Sequence, residues 1–521
     1  MTTPMSSRPW LSRYDSRVPP ALAYPDVPVF HFLDEAARRC PARACIVFRN
    51  DVLTYAQVAD QVDRLASALR ALGLRKGDRA GLLLPNGPEF ILAYFAILKA
   101  GGAVVAINPQ FTPREIAHPV NDAGIETIFC AGPLYERLQA ARPGTGLRRI
   151  VVTGEAAPQA GDLRFADLLA GPAAPLEPVG PQDVALLQYT GGTTGVAKAA
   201  VVLHRNLVAN VLQFKGWLWT LEEEKETVLL ALPAYHVYGM VGGLLFGMAL
   251  RATLVVLSNP RQIPELLDAI QTRRVTCFPA VPTLYNAINS HPDVAAGQTD
   301  LSTLKVCISG AAPLTKETKE TFERLTGGRI VEGFGLSETP AATHCNPLQG
   351  ENRVGSIGLP LSDVEARIVS LEDGATDLPV GAAGELLVRG PQVMQGYHNM
   401  PGETDIALRR GWLHTGDIAR MDAEGYFHVV GRKKDLIKPG GWQVWPREVE
   451  KIIAAHPAVA GVAVAGVPHA YRGETVQARI TLKAGQTLNA AGVKAWCREQ
   501  LAPFKIPTEI EFRGSGDAGP P

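Results

Sequence analysis

Apolar and polar residues recur with two different periods along the first two thirds of the chain. FHFLDEAARRC (30–40) and YAQVADQVDRLASALRALGL (55–74) carry apolar residues three or four positions apart, as amphipathic helices do. Between and after such segments, short apolar runs predict buried strands: AGLLLP, AVVAIN, RRIVVTG, VALLQYT, ATLVVLS, VTCFPAV and LKVCISG. The alternation predicts the α/β class, with helices covering mostly parallel sheets in a large N-terminal domain.

The pattern changes twice further along the chain. From residue 364 to 430, the short strands ARIVSL, GELLVRG and GYFHVVG are separated by turn-forming residues, which predicts a β-rich layer. After residue 431, WPREVEKIIAAH predicts a helix that begins at Pro446. The strand-like AGVAVAGV, TVQARITL and TEIEF and a helix near VKAWCREQL complete a small α+β domain. A domain boundary is therefore expected near residues 431–434.

Composition narrows the class of protein. A chain of 521 residues is too long for one hydrophobic core, so at least two domains are expected. Lys+Arg and Asp+Glu both number 51, which gives no indication of a nucleic-acid partner. The seven cysteines are scattered and no secretory signal precedes them, which indicates reduced thiols in the cytoplasm. The uncharged stretch 227–250 contains a proline, a histidine and several glycines, which favours a buried element over a membrane span. Peripheral membrane contact stays open.

The densest chemical signal is YTGGTTGVAKAA (189–200), directly after the strand-like VALLQ. Three glycines within five residues allow backbone N–H groups to converge on a phosphate, while threonine hydroxyls and Lys198 add donors. The segment matches neither the Walker spacing nor the dinucleotide fingerprint. On composition alone, a flexible surface loop is the competing interpretation.

This loop resembles the phosphate-binding signature of the adenylate-forming superfamily, especially its fatty acyl-CoA ligase branch. Five further motifs match in family order: PAYHVYG (233–239), SGAAPL (309–314), VEGFGLSET (331–339), GWLHTGD (411–417) and GRKKDLIKPGG (431–441). One departure is that Ala197 and Ala199 stand where the family usually has proline and glycine. The resemblance extends from about Phe30 to Phe512.

The resemblance implies a role for individual residues. It implies that Lys198 and Thr194 act on the phosphates, that Glu338 binds Mg²⁺ and that Ser337 lies near the α-phosphate. Phe334 would stack on adenine, Asp417 and Arg432 would bind the ribose, and His236 would stand at the mouth of the acyl tunnel. The other cofactor-binding residues implied are Thr190, Gly191, Gly192, Thr193, Gly195, Gly310, Ala311, Ala312, Glu332, Gly333 and Gly335.

The resemblance also implies a mobile second domain. Residues 1–431 would form the domain that binds AMP and the acyl group, 432–434 a hinge centred on Lys434, and 435–521 the small domain that rotates between two half-reactions. Lys438, Gly440 and Gly441 would then face the site, with the glycines lining a passage for pantetheine. Lys438 would be a catalytic residue of this loop, although acyl-CoA synthetases do not all carry a lysine there.

Relatives in this superfamily carry a further lysine near the C-terminus that supports adenylate formation. No lysine follows Lys505, which belongs to the preceding motif PFKIP, and the last residues RGSGDAGPP are typical of a disordered tail. We therefore expect that the final lysine segment is lacking and that adenylation is slow.

The function implied is ATP-dependent activation of a carboxylic acid, expected to be a fatty acid, followed by thioester formation with coenzyme A. ATP, Mg²⁺ and coenzyme A are the expected cofactors, and a monomer or homodimer the expected assembly. Two alternatives stay open: a degenerate binding protein for nucleotides or acyl-adenylates, and a ligase that serves a carrier protein. The identity of the acyl chain cannot be read from the sequence.

Overall fold

The structure is a computed structural model that describes residues 8–190, 197–437, 439, 444–469 and 473–513. Strands and helices alternate through its first two thirds, as the apolar periods predict. The strands are β1 (Ala44–Phe48), β2 (Asp51–Thr54), β3 (Arg79–Leu83), β4 (Ala103–Ala106), β5 (Thr127–Ala131), β6 (Arg149–Thr153), β7 (Leu163–Arg164), β8 (Val184–Thr190), β9 (Lys198–Leu203), β10 (Thr227–Leu230), β11 (Thr253–Val256), β12 (Cys277–Ala280), β13 (Val306–Ser309), β14 (Arg329–Phe334), β15 (His344–Cys345), β16 (Leu359–Pro360), β17 (Glu365–Val369), β18 (Gly384–Arg389), β19 (Gly396–Tyr397), β20 (Leu408–Arg409), β21 (Trp412–Met421), β22 (Phe427–Arg432), β23 (Val459–His469), β24 (Gly473–Leu482) and β25 (Glu509–Arg513).

The α-helices of the same ranges begin mostly at proline or directly after a strand. They are α1 (His31–Arg39), α2 (Tyr55–Ala71), α3 (Pro88–Lys99), α4 (Pro113–Asp122), α5 (Tyr135–Ala141), α6 (Phe165–Leu169), α7 (His204–Trp217), α8 (Val237–Gly239), α9 (Phe246–Ala249), α10 (Ile263–Thr272), α11 (Pro282–Asn289), α12 (Pro292–Ala295), α13 (Lys316–Thr326), α14 (Pro401–Ala407), α15 (Pro446–Ala454) and α16 (Ala490–Arg498). A π-helical turn, Met240–Leu245, joins α8 to α9.

Two large sheets form the body of the molecule. One has the order β16-β15-β14-β13-β12-β10-β11-β1-β2, with parallel pairing from β14 through β1. The other has the order β19-β9-β8-β4-β3-β5-β6-β7, in which β8 through β7 are parallel. Helix α3 is buried on nearly all sides within the largest apolar cluster, which explains its almost continuous apolar sequence. The predicted α/β class is confirmed.

The predicted β-rich layer is an antiparallel sheet of β17, β18, β21 and β20, with β22 paired to β21. After it, β23, β24 and β25 form a separate three-stranded sheet on which α15 and α16 pack. This C-terminal unit has its own apolar core, which includes Ile437, Val449, Ile453, Ile480 and Cys497. The 3₁₀ turn Lys433–Asp435 connects β22 to this unit.

The uncharged stretch 227–250 is a buried element of the first large sheet. Strand β10 lies inside that sheet, and the helix from α8 to α9 packs in the largest apolar cluster. In the described ranges, no helix is long and apolar enough to cross a membrane.

Candidate functional site

A cavity of about 790 Å³ opens where the two large sheets, the β-rich layer and the connection to the C-terminal unit meet. All six sequence motifs contribute to its lining, although they are separated by up to about half of the chain. Among the residues singled out in the sequence, those that line the cavity are Thr190, Lys198, His236, Gly310, Ala311, Gly333, Phe334, Gly335, Ser337, Glu338, Arg432 and Lys434.

The hairpin formed by β8 and β9 places the ends of the phosphate-binding motif side by side. Thr190 at the end of β8 pairs in register with Lys198 at the start of β9. Gly191, Gly192, Thr193, Thr194 and Gly195 lie outside the described residues, as do Lys438, Gly440 and Gly441. The hairpin therefore brings Thr190 and Lys198 together at the cavity.

Lys198 already has an anionic partner. Its Nζ forms an ion pair with Glu403 at the start of α14, and it lies 5.4 Å from the centre of the Tyr397 ring. Only 14% of the Lys198 side chain is exposed, so solvent screens this charge weakly. An incoming phosphate group would meet a cation whose position is set by two side chains.

Parallel pairing of β13 with β14 builds the next part of the wall. Ser309 and Glu332 are in register, so the following residues, Gly310 and Gly333, come side by side at the carboxyl edge of the sheet. Gly335 follows at a turn where a Cβ would lie 1.6 Å from the carbonyl oxygen of Ala341, so a side chain there would collide with backbone. This part of the wall can therefore present backbone and the Phe334 ring to a flat ligand.

Two of the predicted site residues in the SGAAPL and VEGFGLSET motifs do not line the cavity. Glu332 is buried behind the wall, its Oε1 accepts the Leu314 N–H at 3.4 Å, and burial raises its pKa to about 7. Ala312 is exposed and does not line the cavity. Neither position suggests direct contact with a ligand in this arrangement of the chain.

Glu338 presents a carboxylate to the cavity at the end of the VEGFGLSET motif. Its Oε1 accepts a hydrogen bond from the Tyr397 hydroxyl at 2.7 Å. The described residues contain no group of three or more His, Cys, Asp or Glu side chains that could hold a metal ion. A metal at Glu338 would therefore draw most of its other ligands from a bound anion and water.

Asp417 and Arg432 face each other across β21 and β22; Arg432 lines the cavity, whereas Asp417 does not. Arg432 Nε lies 2.7 Å from Asp417 Oδ1, whereas Asp417 Oδ2 is buried and has no hydrogen-bond partner among the described residues. Burial raises the pKa of Asp417 to about 6, although the neighbouring Arg432 acts in the opposite direction. A buried acceptor without a donor is costly, so a hydroxyl group that reached Asp417 Oδ2 would stabilise this arrangement.

One part of the cavity, called here the apolar end, is lined mostly by apolar side chains. It includes Phe214, Tyr238, Ile308, Ala342 and Cys345. The Tyr238 hydroxyl donates to the backbone carbonyl of Ile308 at 2.8 Å, and a Cβ at residue 310 would lie only 3.0 Å from the Tyr238 ring. This fixed ring limits the width of the apolar end.

His236 stands at the side of the apolar end. Its Nδ1 accepts the Tyr238 backbone N–H at 3.3 Å, which caps the start of α8. The imidazole is open to the cavity, and partial desolvation by the surrounding protein lowers its pKa.

The connection to the C-terminal unit is anchored directly beside the cavity. Lys433 Nζ lies 2.9 Å from Glu385 Oε2, and His414 Nδ1 lies 3.3 Å from the same oxygen. Burial acts to raise the pKa of Glu385, yet Lys433 and His414 together lower it. Lys505, in the C-terminal unit, pairs with Glu448 at 2.7 Å.

Sequence reasoning did not identify Tyr397, Glu403 or Glu385 as part of the site. All three belong to segments without a distinctive chemical motif, and their contacts depend on long-range pairing. The only local signal was their position within the β-rich region, between motifs that do line the cavity.

The fold and the site together define the class of adenylate-forming enzymes. The features that do so are the two sheets with parallel strands at their centres, the β-rich layer, the C-terminal sheet and this cavity. Residues 33–398 match the family model of the AMP-binding enzymes, and residues 448–515 match that of the AMP-binding enzyme C-terminal domain. The chain belongs to the AMP-binding enzyme family, and the resemblance inferred from the six motifs is confirmed.

Individual relatives are similar over nearly the whole chain. A long-chain-fatty-acid–CoA ligase of Bacillus subtilis (strain 168) is 37% identical over 536 aligned residues, covering 98% of this chain and 95% of its own. A feruloyl-CoA synthase of an Amycolatopsis species is 34% identical, covering 91% and 93%. The crystal structure of ATP-bound MatB from Rhodopseudomonas palustris has a TM-score of 0.83 at 30% identity, covering 94% and 95%. The predicted enzyme class is confirmed: the chain is an acid–thiol ligase that uses ATP, Mg²⁺ and coenzyme A.

Proposed function

We propose that this chain activates a fatty acid with ATP to form an acyl-adenylate and then transfers the acyl group to coenzyme A. The observation that carries the proposal is the convergence of Lys198, Glu338 and Arg432 on one cavity with an apolar end, where Arg432 is paired with the buried Asp417. The relatives that are long-chain-fatty-acid–CoA ligases support the choice of acid.

In the proposed first half-reaction, a carboxylate oxygen attacks the α-phosphorus of ATP, and pyrophosphate leaves with the electrons of the broken P–O bond. Lys198, with Thr190 and the loop containing Thr194, would hold the phosphates, and Ser337 would lie near the α-phosphate. Glu338 would hold Mg²⁺, which supplies neutralisation of the phosphate charge. No protein nucleophile is required, because charge stabilisation and orientation supply the catalysis.

The nucleoside would be recognised by the walls already described. Adenine would lie against the Phe334 ring and the backbone at Gly310 and Gly333, where the absence of side chains allows close approach. The ribose hydroxyls would donate to Asp417, whose buried Oδ2 has no donor among the described residues. Arg432 would keep that carboxylate ionised and oriented.

In the proposed second half-reaction, the thiol of coenzyme A attacks the acyl carbon, and AMP leaves with the carboxylate oxygen that joined it to the acyl group. We propose that residues 435–521 rotate about 432–434 between the two half-reactions. The separate apolar core after Ile437 and the short connection containing Lys434 support this division. Lys438, Gly440 and Gly441 are proposed to reach the cavity after rotation.

The acid would occupy the apolar end, with His236 at its mouth. Apolar walls favour a hydrocarbon chain because burial contributes about 0.8 kcal/mol for each CH₂ group. We also propose that the protein acts in the cytoplasm. Six of its seven cysteines are buried and all are free, which supports a reducing environment.

The test is pyrophosphate release with a panel of carboxylic acids, with and without coenzyme A. Fatty acids should release pyrophosphate, and coenzyme A should convert the activated acid into a thioester. If a thioester formed only on a phosphopantetheinyl carrier protein, that carrier and not coenzyme A would be the acyl acceptor. ATP binding without pyrophosphate release for any acid would contradict the proposal and favour a degenerate binding protein.

A further inference from the structure

Residues 394–404 connect three parts of the candidate nucleotide site. The backbone N–H of Met394 donates to the Glu338 carbonyl at 2.8 Å. Strand β19 pairs with β9, so that Tyr397 lies opposite Ala200, two residues after Lys198. Thr404, on α14, accepts the Tyr397 backbone N–H at 2.9 Å. This segment therefore links the backbone of Glu338 to the strand that begins at Lys198.

Tyr397 extends this linkage to the side chains. Its hydroxyl donates to Oε1 of Glu338 at 2.7 Å, and its ring centre lies 5.4 Å from Nζ of Lys198. The same lysine pairs with Glu403, one residue before the threonine that holds the Tyr397 backbone. One aromatic side chain thus contacts both the acidic and the basic member of the site.

We propose that Tyr397 is a positioning residue that aims the Glu338 carboxylate at the metal accompanying ATP. This role rests on the proposed function, because it assumes that ATP and Mg²⁺ bind at this cavity. Hydrogen-bonding one carboxylate oxygen to a fixed phenol restricts rotation of the side chain and leaves the other oxygen directed elsewhere. The ring also contacts Lys198, so Tyr397 helps to set the separation between the metal ligand and the phosphate-binding cation.

The position of the phenol makes this role separable from packing. Phenylalanine at residue 397 keeps the ring beside Lys198 and the pairing of β19, and removes only the bond to Glu338. Loss of a group that orients a metal ligand typically lowers metal affinity by about 10- to 100-fold. The substitution should therefore act on the metal-dependent part of ATP binding and leave the metal-independent part intact.

The experiment measures the dissociation constant of ATP by calorimetry in EDTA and in saturating MgCl₂. The ratio of interest is the dissociation constant in EDTA divided by the dissociation constant in MgCl₂. In Tyr397→Phe, this ratio should fall to about a tenth of the wild-type ratio, which is the usual effect of losing a group that orients a metal ligand. ATP affinity in EDTA should stay within about twofold of wild type, because the ring and the contacts of Lys198 remain. In a Glu338→Gln background, Tyr397→Phe should produce no further fall in the ratio.

Tyr24→Phe is the matched control, since Tyr24 donates a 2.7 Å hydrogen bond to the Asp363 carboxylate and does not line the cavity. Its ratio should equal that of wild type. An unchanged ratio in Tyr397→Phe, or an equal loss of affinity in EDTA and in MgCl₂, would overturn the positioning role while leaving the proposed function intact. If the wild-type chain bound no ATP in either condition, the proposed function itself would fail.

Discussion

Replacing Asp417 by asparagine should affect stability and nucleotide binding in opposite directions. Burial raises the pKa of Asp417 from 3.8 to about 6. Keeping this carboxylate ionised at pH 7 therefore costs the folded protein roughly 3 kcal/mol, an upper limit from the size of the pKa change. Asparagine has nearly the same shape and no charge, so we expect the free energy of unfolding to rise by about 1–3 kcal/mol.

The same substitution should weaken ATP binding. Hydrogen bonds to charged groups contribute about 1.5–3 kcal/mol, which corresponds to roughly a 10- to 150-fold higher dissociation constant. Calorimetric titration with ATP and urea unfolding, performed on the same preparation, measure both quantities. An Asp417→Asn variant that binds ATP normally would refute the ribose assignment, and one that is strongly destabilised would refute the electrostatic reasoning.

A second buried aspartate supplies the control. The carboxylate of Asp15 accepts the backbone N–H groups of Gln349 at 2.8 Å and Gly350 at 2.5 Å. Asp15 does not line the cavity and belongs to neither of the strands that carry Asp417 and Arg432. Asp15→Asn should lower stability, because the amide nitrogen of asparagine is a donor and cannot accept a hydrogen bond from a backbone N–H group. Its ATP affinity should match that of wild type.

Three further predictions concern the same cavity. Adenosine, which has no phosphate to titrate, should bind more weakly as the pH falls through about 6, because protonated Asp417 loses acceptor capacity; Asp417→Asn should remove this dependence, as NMR titration would show. Gly335→Ala should lower the unfolding midpoint by several degrees, since its Cβ would collide with the Ala341 carbonyl, whereas Gly333→Ala, with 3.7 Å of clearance, should be tolerated. Glu403→Gln should tighten metal-free ATP binding by about two- to fivefold by releasing the phosphate-binding lysine, and weaker binding would contradict that view.

Much of the fold follows from local patterns. The helix predicted over 55–74 is observed as α2, and it begins at a capping box in which Thr54 and Gln57 bond to each other's backbone N–H groups. The apolar run VALLQYT is observed as β8, buried over most of its length. Such elements are predictable because the period of apolar residues and the capping residues specify the same local structure.

The candidate site is only partly predictable for a physical reason. Lys198, Phe334 and Glu338 stand in dense motifs, so their residue types already indicate chemistry. Tyr397 and Glu403 do not, because Tyr397 lies in a two-residue strand that exists only through pairing with β9. Tyr397 contacts Glu338, which is 59 residues away in sequence, and Glu403 contacts Lys198, which is 205 residues away. No local sequence period predicts contacts over such separations.

Burial likewise separates residues that the motifs treat alike. Glu332 and Glu338 are six positions apart in one motif, yet only Glu338 lines the cavity. Glu332 lies within β14 and is buried, and burial raises its pKa to about 7, whereas Glu338 follows the end of that strand. The sequence shows both carboxylates, but their positions relative to the end of β14 decide which one a ligand can reach.

The most direct test of the proposed reaction follows the oxygen atoms of the acid. A fatty acid labelled with ¹⁸O in both carboxylate oxygens is incubated with the enzyme, ATP, MgCl₂ and coenzyme A, and the products are analysed by mass spectrometry. Attack of the carboxylate on the α-phosphorus followed by thiolysis predicts AMP that contains one ¹⁸O atom, unlabelled pyrophosphate and an acyl-CoA that retains the other ¹⁸O. Thioester formation with label in ADP or inorganic phosphate, and none in AMP, would contradict an adenylate mechanism.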